Sequence, residues 1–172
     1  MRDLSLTVER GERIALKGEN GCGKSTVLKL LTGELTAQSG IVRVPNDLRI
    51  SYLPQNVSGI CGTVAEYAAA RGAEPSLVMA ILNKFNLRSE LFSRDISEYS
   101  DGQKKKVALA VSLATPAHLY IWDEPLNFID LVSRIQLEEL LLEYRPTLLF
   151  VEHDAAFRRN IATRTVELSR PR

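Results

Sequence analysis

The sequence predicts an α/β fold with a mostly parallel sheet and an inserted α-helical subdomain. Short apolar segments, such as residues 148–151, alternate along the chain with segments of helical spacing. Continuously apolar strands are typical of parallel sheets that are covered on both faces. A glycine-rich loop joins one such strand to a helix, whereas residues 63–114 show helical patterns and no strand pattern.

The predicted elements follow one another in a regular order. Strand patterns occupy the segments at residues 4–8, 13–16, 41–44, 48–53, 119–122, 147–151 and 165–168. Helical patterns occupy the segments at residues 24–32, 64–70, 76–85, 103–114, 131–144 and 155–162. Gly33 is placed to end the first helix. We expect the segment at 4–8 to contribute to an N-terminal antiparallel strand region beside the parallel sheet.

Length and composition fit one globular domain. The chain has 172 residues, of which 45% are hydrophobic and 25% are charged, and its formal net charge is +1. This composition excludes extended disorder. The balanced charge excludes a protein whose whole surface neutralises nucleic acid, and we expect no DNA partner. We interpret residues 1–58 and 115–172 as the core and residues 59–114, approximately, as the helical subdomain.

The sequence also points to a cytoplasmic protein. No apolar run approaches the ~18 residues of a membrane span, and the N-terminus shows no secretory signal. Cys22 and Cys61 lack metal-binding spacing, and a reduced chain is the simpler interpretation.

A phosphate-binding loop follows the strand at 13–16. Residues 18–25 match the pattern G-x-x-x-x-G-K-[ST] between a strand and a helix. Glycines let successive backbone N–H groups point at a triphosphate, and the helix N-terminus adds partial positive charge. Lys24 would reach the β- and γ-phosphates, and the Ser25 hydroxyl would ligate Mg²⁺. The predicted nucleotide-binding residues of this loop are Gly18, Asn20, Gly21, Cys22, Gly23, Lys24, Ser25 and Thr26.

Two acids follow the apolar strand at 119–122. Because ligands of open α/β sheets bind at the carboxyl ends of strands, Asp123 is placed to hold Mg²⁺ and Glu124 to orient and activate the attacking water. Acids at this point also serve as helix caps. The phosphate-binding loop in the same chain favours the catalytic interpretation.

Four further segments carry a family resemblance. Residues 100–103, Ser-Asp-Gly-Gln, precede a helix and resemble the signature motif of ABC-type ATPases. Gln55 matches the Q-loop of that superfamily, residues 125–130 match its D-loop, and His153 matches its switch histidine. The order of these motifs from Gly18 to His153 is the order of the ABC superfamily.

The resemblance implies a role for each segment, with ATP and Mg²⁺ bound. Gln55 would sense the Mg²⁺ or the water, and His153 would contact the γ-phosphate. Asp130 would lie across the interface with a second ABC domain, in the same polypeptide or in a homodimer. The signature would offer a second anion site to the nucleotide of that facing domain, through Ser100, Gly102 and Gln103.

Within the superfamily, residues 99–107, 118–130 and 149–154 look most similar to the ABC-F class. More narrowly, they resemble the members that protect ribosomes against antibiotics. That resemblance implies a soluble protein with two ATPase domains, of which this chain is the second, and it implies the ribosome and its RNA as partners.

The chain departs from the family pattern at three points. Asp101 stands where the signature usually has glycine, and Leu126 stands where the D-loop usually has threonine. Residues 1–17 contain no aromatic side chain that would stack on adenine.

Lys104, Lys105 and Lys106 form a basic run that we interpret as a solvated face, with contact to phosphate as the alternative.

Two alternatives to the ABC-F assignment stay open. The motor subunit of a membrane transporter shares all of these motifs, although the helical subdomain looks short for a membrane partner. A nucleotide-gated dimerisation module with little turnover is the other alternative, and Glu124 argues against it.

Overall fold

The computed structural model describes residues 4–169, which form one five-stranded sheet and six α-helices. The strands are β1 (Arg13–Gly18), β2 (Ile50–Leu53), β3 (Leu119–Asp123), β4 (Leu148–Val151) and β5 (Arg164–Leu168). The helices are α1 (Lys24–Leu31), α2 (Val64–Ala69), α3 (Pro75–Lys84), α4 (Asp101–Ala114), α5 (Leu131–Tyr144) and α6 (Ala155–Ile161).

All strand pairings in the sheet are parallel, and the strand order is β2-β3-β4-β1-β5. Ala15 of β1 pairs with Phe150 of β4, and Ile121 of β3 pairs with Leu149 of β4. The carboxyl ends of β1 to β4 therefore lie together at one edge. The predicted α/β class with a parallel sheet is confirmed.

The sheet is buried on both faces, as its continuous apolar strands predict. Leu148 and Phe150 face one hydrophobic cluster, which includes side chains of α2 to α6. Leu149 and Val151 face a second cluster, which includes Val27 and Leu28 of α1. Period-two alternation along β4 thus divides its side chains between two cores.

In the helical region between β2 and β3, a side chain caps the N-terminus of each α-helix. Thr63 forms a capping box with Glu66 at α2, and Glu74 accepts a hydrogen bond at the start of α3, where Pro75 is the first helical residue. Helix α4 packs on α2, α3 and β2. All six helices lie where the sequence predicts them, within two residues at each end.

The structure corrects one part of the fold prediction, because residues 4–8 and 41–44 form no strand. The backbone of residues 4–8 makes no strand pairing. Leu6 and Val8 pack against the second cluster, and Arg164 donates a hydrogen bond to the backbone carbonyl of Thr7. Ile41 is 78% exposed, so the apolar pattern at residues 41–44 does not correspond to a buried strand. The expected N-terminal antiparallel region is therefore absent from residues 4–169.

No helix among the described residues combines the length and the apolar character needed to cross a membrane.

Candidate functional site

The sheet topology brings four of the predicted motifs to one cleft. The glycine-rich loop follows β1, Gln55 lies just beyond β2, Glu124 follows β3 and His153 follows β4. The cleft has a volume of about 620 Å³. It is lined by Asn20, Gly21, Gly23, Lys24, Ser25, Thr26, Gln55, Glu124 and His153. Sequence analysis identified all of these residues.

The loop between β1 and α1 owes its shape to glycine. Gly21 and Gly23 have φ angles of 78° and 103°, a region that side chains with a Cβ disfavour. A Cβ atom at Gly18 would come within 2.5 Å of the carbonyl oxygen of Leu168 and 2.6 Å of Cys22 Sγ. The loop can therefore pack against β5 only with glycine at position 18.

Lys24 is held over this loop. Its ammonium donates hydrogen bonds to the carbonyl oxygens of Gly18 and Glu19, at 2.8 and 3.0 Å, and the residue is only 8% exposed. No side chain caps the N-terminus of α1. The fixed cation and the helix N-terminus both favour an anion in the cleft.

Asp123 and Ser25 supply the oxygen atoms that suit a Mg²⁺ ion. Asp123 is 4% exposed, and its Oδ1 atom is buried without a hydrogen-bond partner. Burial raises the pKa of Asp123, and a hydrogen bond with the Ser25 side chain opposes that rise. An orphaned buried carboxylate oxygen beside a hydroxyl fits a divalent cation.

Mg²⁺ at this point would need ligands from the nucleotide. Within residues 4–169, no group of three or more His, Cys, Asp or Glu side chains could hold a metal ion. Mg²⁺ is commonly bound by one or two protein oxygens together with substrate phosphates and water. The residues present therefore fit a Mg²⁺ that binds with a triphosphate.

Three side chains hold the carboxylate of Glu124. Gln55 Nε2 donates to its Oε2 atom at 2.8 Å, and Asn127 Nδ2 donates to the same atom at 2.6 Å. His153 Nε2 lies 3.3 Å from Oε1. Glu124 adopts φ 49°, an uncommon backbone conformation for a residue other than glycine. The carboxylate is thereby aimed into the cleft rather than used as a helix cap.

Glu152 joins the D-loop to the switch histidine. It is 6% exposed, and it accepts hydrogen bonds from the backbone N–H groups of Leu126, His153 and Asp154. Arg134 of α5 binds both carboxylate oxygens of Asp154, at 2.8 and 2.9 Å. The backbone around His153 is therefore fixed from two sides.

The predicted signature residues and Asp130 do not line the cleft. Ser100 and Gln103 form a capping box at the start of α4. Asp130 caps α5 and lies 2.6 Å from the Lys106 ammonium. Burial raises the pKa of Asp130, but hydrogen bonds from Lys106 and Ser133 lower it more, to about 2. The predicted contacts of the signature residues and Asp130 involve the nucleotide of a facing domain, and they stay a prediction.

Two of the three departures from the family pattern have local explanations. Asp101 is exposed in the first turn of α4, where a negative charge is favourable. Leu126 packs against the larger hydrophobic cluster, and its backbone N–H donates to Glu152. Neither side chain lines the cleft.

Gly102 of the signature packs directly on the D-loop. A Cβ atom at this position would come within 2.7 Å of the carbonyl oxygen of Phe128. We expect Gly102→Ala to lower the free energy of unfolding by about 1–3 kcal/mol, because one backbone segment has to move. Gly59→Ala is the matched control, since a Cβ there meets nothing within 4 Å. Thermal unfolding checks this, and equal melting temperatures would contradict the contact.

The interpretation of residues 104–106 as a solvated face is wrong for two of the three lysines. Lys105 is 1% exposed, and the side chain of Lys106 is 12% exposed. The helical period of the sequence indicates the burial of Lys105, because this residue shares a buried face of α4 with Ala108, Leu109 and Ser112. Sequence analysis also assigned no role to Asn127, which lies three residues beyond Glu124 in a turn, or to Glu152.

The strand, glycine-rich loop and helix, with a lysine over the loop and a buried aspartate beside a serine, define a P-loop nucleoside triphosphatase. The model of the ABC transporter family matches residues 1–127. The chain belongs to the ABC transporter family.

Curated relatives include members of its F class. The chain is 34% identical over 173 residues to ABC transporter F family member 5 of Arabidopsis thaliana, covering 97% of this chain and 25% of the relative. It is 35% identical over 171 residues to the ATP-binding protein Uup of Escherichia coli, covering 95% of this chain and 27% of the relative. The chain thus spans about a quarter of the length of these relatives.

Solved structures share the fold. An archaeal ribosome recycling factor, in complex with a ribosomal stalk protein, superposes with a TM-score of 0.78 at 28% identity, covering 93% of this chain and 32% of the other. A dimeric bacterial ABC transporter cassette superposes with a TM-score of 0.81 at 22% identity, covering 95% of this chain and 84% of the other. The predicted P-loop ATPase fold is confirmed.

Proposed function

We propose that this chain binds Mg-ATP in the cleft, hydrolyses it with Glu124 as the general base, and closes head-to-tail on a second ABC domain. The observation that carries this proposal is the Glu124 carboxylate, held by Gln55, Asn127 and His153 at the wall of the phosphate-binding cleft. A carboxylate fixed beside a triphosphate is the part that phosphoryl transfer to water requires.

Each side chain of the cleft has one task in this proposal. The backbone N–H groups of the loop and the ammonium of Lys24 bind the β- and γ-phosphates. Ser25 and Asp123 would hold Mg²⁺, with Gln55 as the third predicted ligand. When bound, that ion supplies charge neutralisation to the phosphate oxygens.

Glu124 accepts a proton from the attacking water as the water oxygen bonds to the γ-phosphorus and the bond to the β-phosphate oxygen breaks. ADP and inorganic phosphate are the products. Gln55 and His153 orient the water and the γ-phosphate, because both already contact the Glu124 carboxylate.

The second half of the site comes from a facing domain. Ser100, Gly102 and Gln103 lie at the N-terminus of α4, away from the cleft of their own chain, and Asp130 lies at the start of α5. We propose that they contact the nucleotide and the interface of a second ABC domain, in the same polypeptide or in a homodimer. Without that partner, turnover is expected to be slow.

We further propose that the domain belongs to a cytoplasmic ABC-F factor that acts on the ribosome. The resemblance of residues 118–130 to the ABC-F class and the F-class relatives support this role. A similar structure is that of a ribosome recycling factor with a ribosomal stalk protein. Protection against antibiotics, contact with ribosomal RNA and the position as the second of two ATPase domains are the finer parts of the proposal.

Co-sedimentation tests the ribosomal role. The Glu124→Gln variant, made in its complete natural polypeptide, is mixed with ribosomes or with membranes, in ATP or in ADP. We expect it to sediment with ribosomes in ATP only, because blocked hydrolysis keeps the closed form. Lys24→Ala is the control, because it should bind the triphosphate much more weakly. Binding to membranes and not to ribosomes would contradict the ribosomal role and favour a transporter motor.

A further inference from the structure

Lys105 is a buried lysine that the proposed chemistry does not use. The residue is 1% exposed on α4, and its ammonium donates hydrogen bonds to the backbone carbonyl oxygens of Pro54 and Gln55, at 3.2 and 3.3 Å. Buried ammonium groups are costly unless polar groups compensate them. The two carbonyls that accept these bonds belong to residues 54–58, which we call the Gln55 segment.

The surroundings of Lys105 are acidic. Burial lowers the pKa of Lys105 to about 8, while the charges of Asp123, Glu124 and Glu152 oppose that decrease. The ammonium therefore binds the carbonyls of Pro54 and Gln55 and also interacts electrostatically with acids at the ends of β3 and β4. Each of these acids belongs to the cleft or to the backbone beside it.

A short chain of contacts leads from α4 to the general base. Lys105 holds the Gln55 backbone, and the Gln55 side chain donates to Glu124 at 2.8 Å. Lys105 lies two residues after Gln103, which forms the capping box at the start of α4 with Ser100. A shift of α4 would thus move Gln55 relative to Glu124.

We propose that Lys105 is a positioning residue, which ties the Gln55 segment to the signature helix and sets the contact between Gln55 and Glu124. This inference rests on the proposed ATPase function. It assigns Lys105 no contact with nucleotide. The hydrogen bonds from Lys105 to the two carbonyls fix the position of the Gln55 segment. Close packing along α4 in turn fixes the Lys105 side chain.

A merely structural lysine would behave differently. Replacing a buried charge by an apolar side chain of similar length is often neutral or stabilising. Lys105→Met would then preserve or raise the melting temperature and leave the Gln55 segment and turnover unchanged. A positioning role requires the segment to loosen and turnover to fall, whatever happens to the melting temperature.

The experiment compares Lys105→Met and Lys105→Arg with Lys84→Met, an exposed lysine at the end of α3 that serves as the control. Hydrogen exchange of residues 55–58 in the nucleotide-free chain reports on the loop. ATP affinity in EDTA reports on the phosphate-binding loop, and kcat and KM report on catalysis. The melting temperature of each variant reports on folding.

For Lys105→Met we expect exchange of residues 55–58 to rise at least fivefold and kcat to fall at least tenfold. ATP affinity in EDTA should stay within twofold, because Lys24 and its loop do not change. Lys105→Arg should recover part of both losses, since it keeps the charge and the donors. Lys84→Met should change none of these values.

Unchanged exchange in residues 55–58 of a folded Lys105→Met variant would overturn the proposal, as would an unchanged kcat. If the parent chain shows no turnover with its partner domain present, the proposed function fails. The exchange result then decides the positioning role on its own, so the two failures are distinguishable.

Discussion

Replacing Glu124 by Gln is expected to lower ATP turnover by about 10²–10⁴-fold, the usual contribution of a general base. Gln keeps the length of the side chain and one oxygen that accepts from Gln55 and Asn127, so the arrangement at the end of β3 survives. It cannot take a proton from water. ATP affinity should therefore stay within about twofold of the parent. Phosphate release and equilibrium ATP binding check the two parts separately.

Glu143→Gln is the matched control, because Glu143 is an exposed acid on α5, outside the cleft. It should hydrolyse ATP at the parental rate. The Glu124→Gln variant should in addition accumulate a closed dimer with ATP and not with ADP, which light scattering detects. Parental turnover in Glu124→Gln would show that another group activates the water.

Lys24→Ala is expected to weaken ATP binding by about 3 kcal/mol, or roughly 100-fold, which is the loss of one or two charge-assisted hydrogen bonds. Lys24 is 8% exposed, and its ammonium lies against the loop that would hold the phosphates. Because the β- and γ-phosphates carry the interaction, AMP binding should hardly change. Titration calorimetry with ATP, ADP and AMP measures this pattern.

Lys29→Ala provides the control, since Lys29 is an exposed lysine near the end of the same helix. It should bind ATP as the parent does. Far-UV circular dichroism shows whether Lys24→Ala retains its fold. A folded Lys24→Ala variant with parental ATP affinity would remove the phosphate site from the glycine-rich loop.

The sequence predicts the site better than it predicts the edges of the fold. The loop pattern depends on local backbone needs, so glycines, Lys24 and Ser25 identify it without tertiary information. Gln55, Glu124 and His153 come together because each follows a parallel strand, and strand ends share an edge. The alternation at residues 4–8 carries no information about a neighbouring strand, and here it finds none.

The contacts that sequence analysis missed are long-range. Lys105 reaches carbonyls about 50 positions away, and Glu152 reaches the N–H group of Leu126 from the next strand end. No local pattern encodes such partners. Charge suggested solvent exposure for Lys105, whereas the helix period placed it inside, and the period was the better guide.

A crystal structure of the Glu124→Gln variant with Mg-ATP tests the central claim most directly. We expect the Lys24 ammonium to leave the carbonyls of Gly18 and Glu19 and to contact the β- and γ-phosphates. We expect Mg²⁺ on Ser25 and Asp123, and Gln55 and His153 beside the γ-phosphate. Nucleotide bound outside this cleft, with Lys24 still on the carbonyls of Gly18 and Glu19, would contradict it.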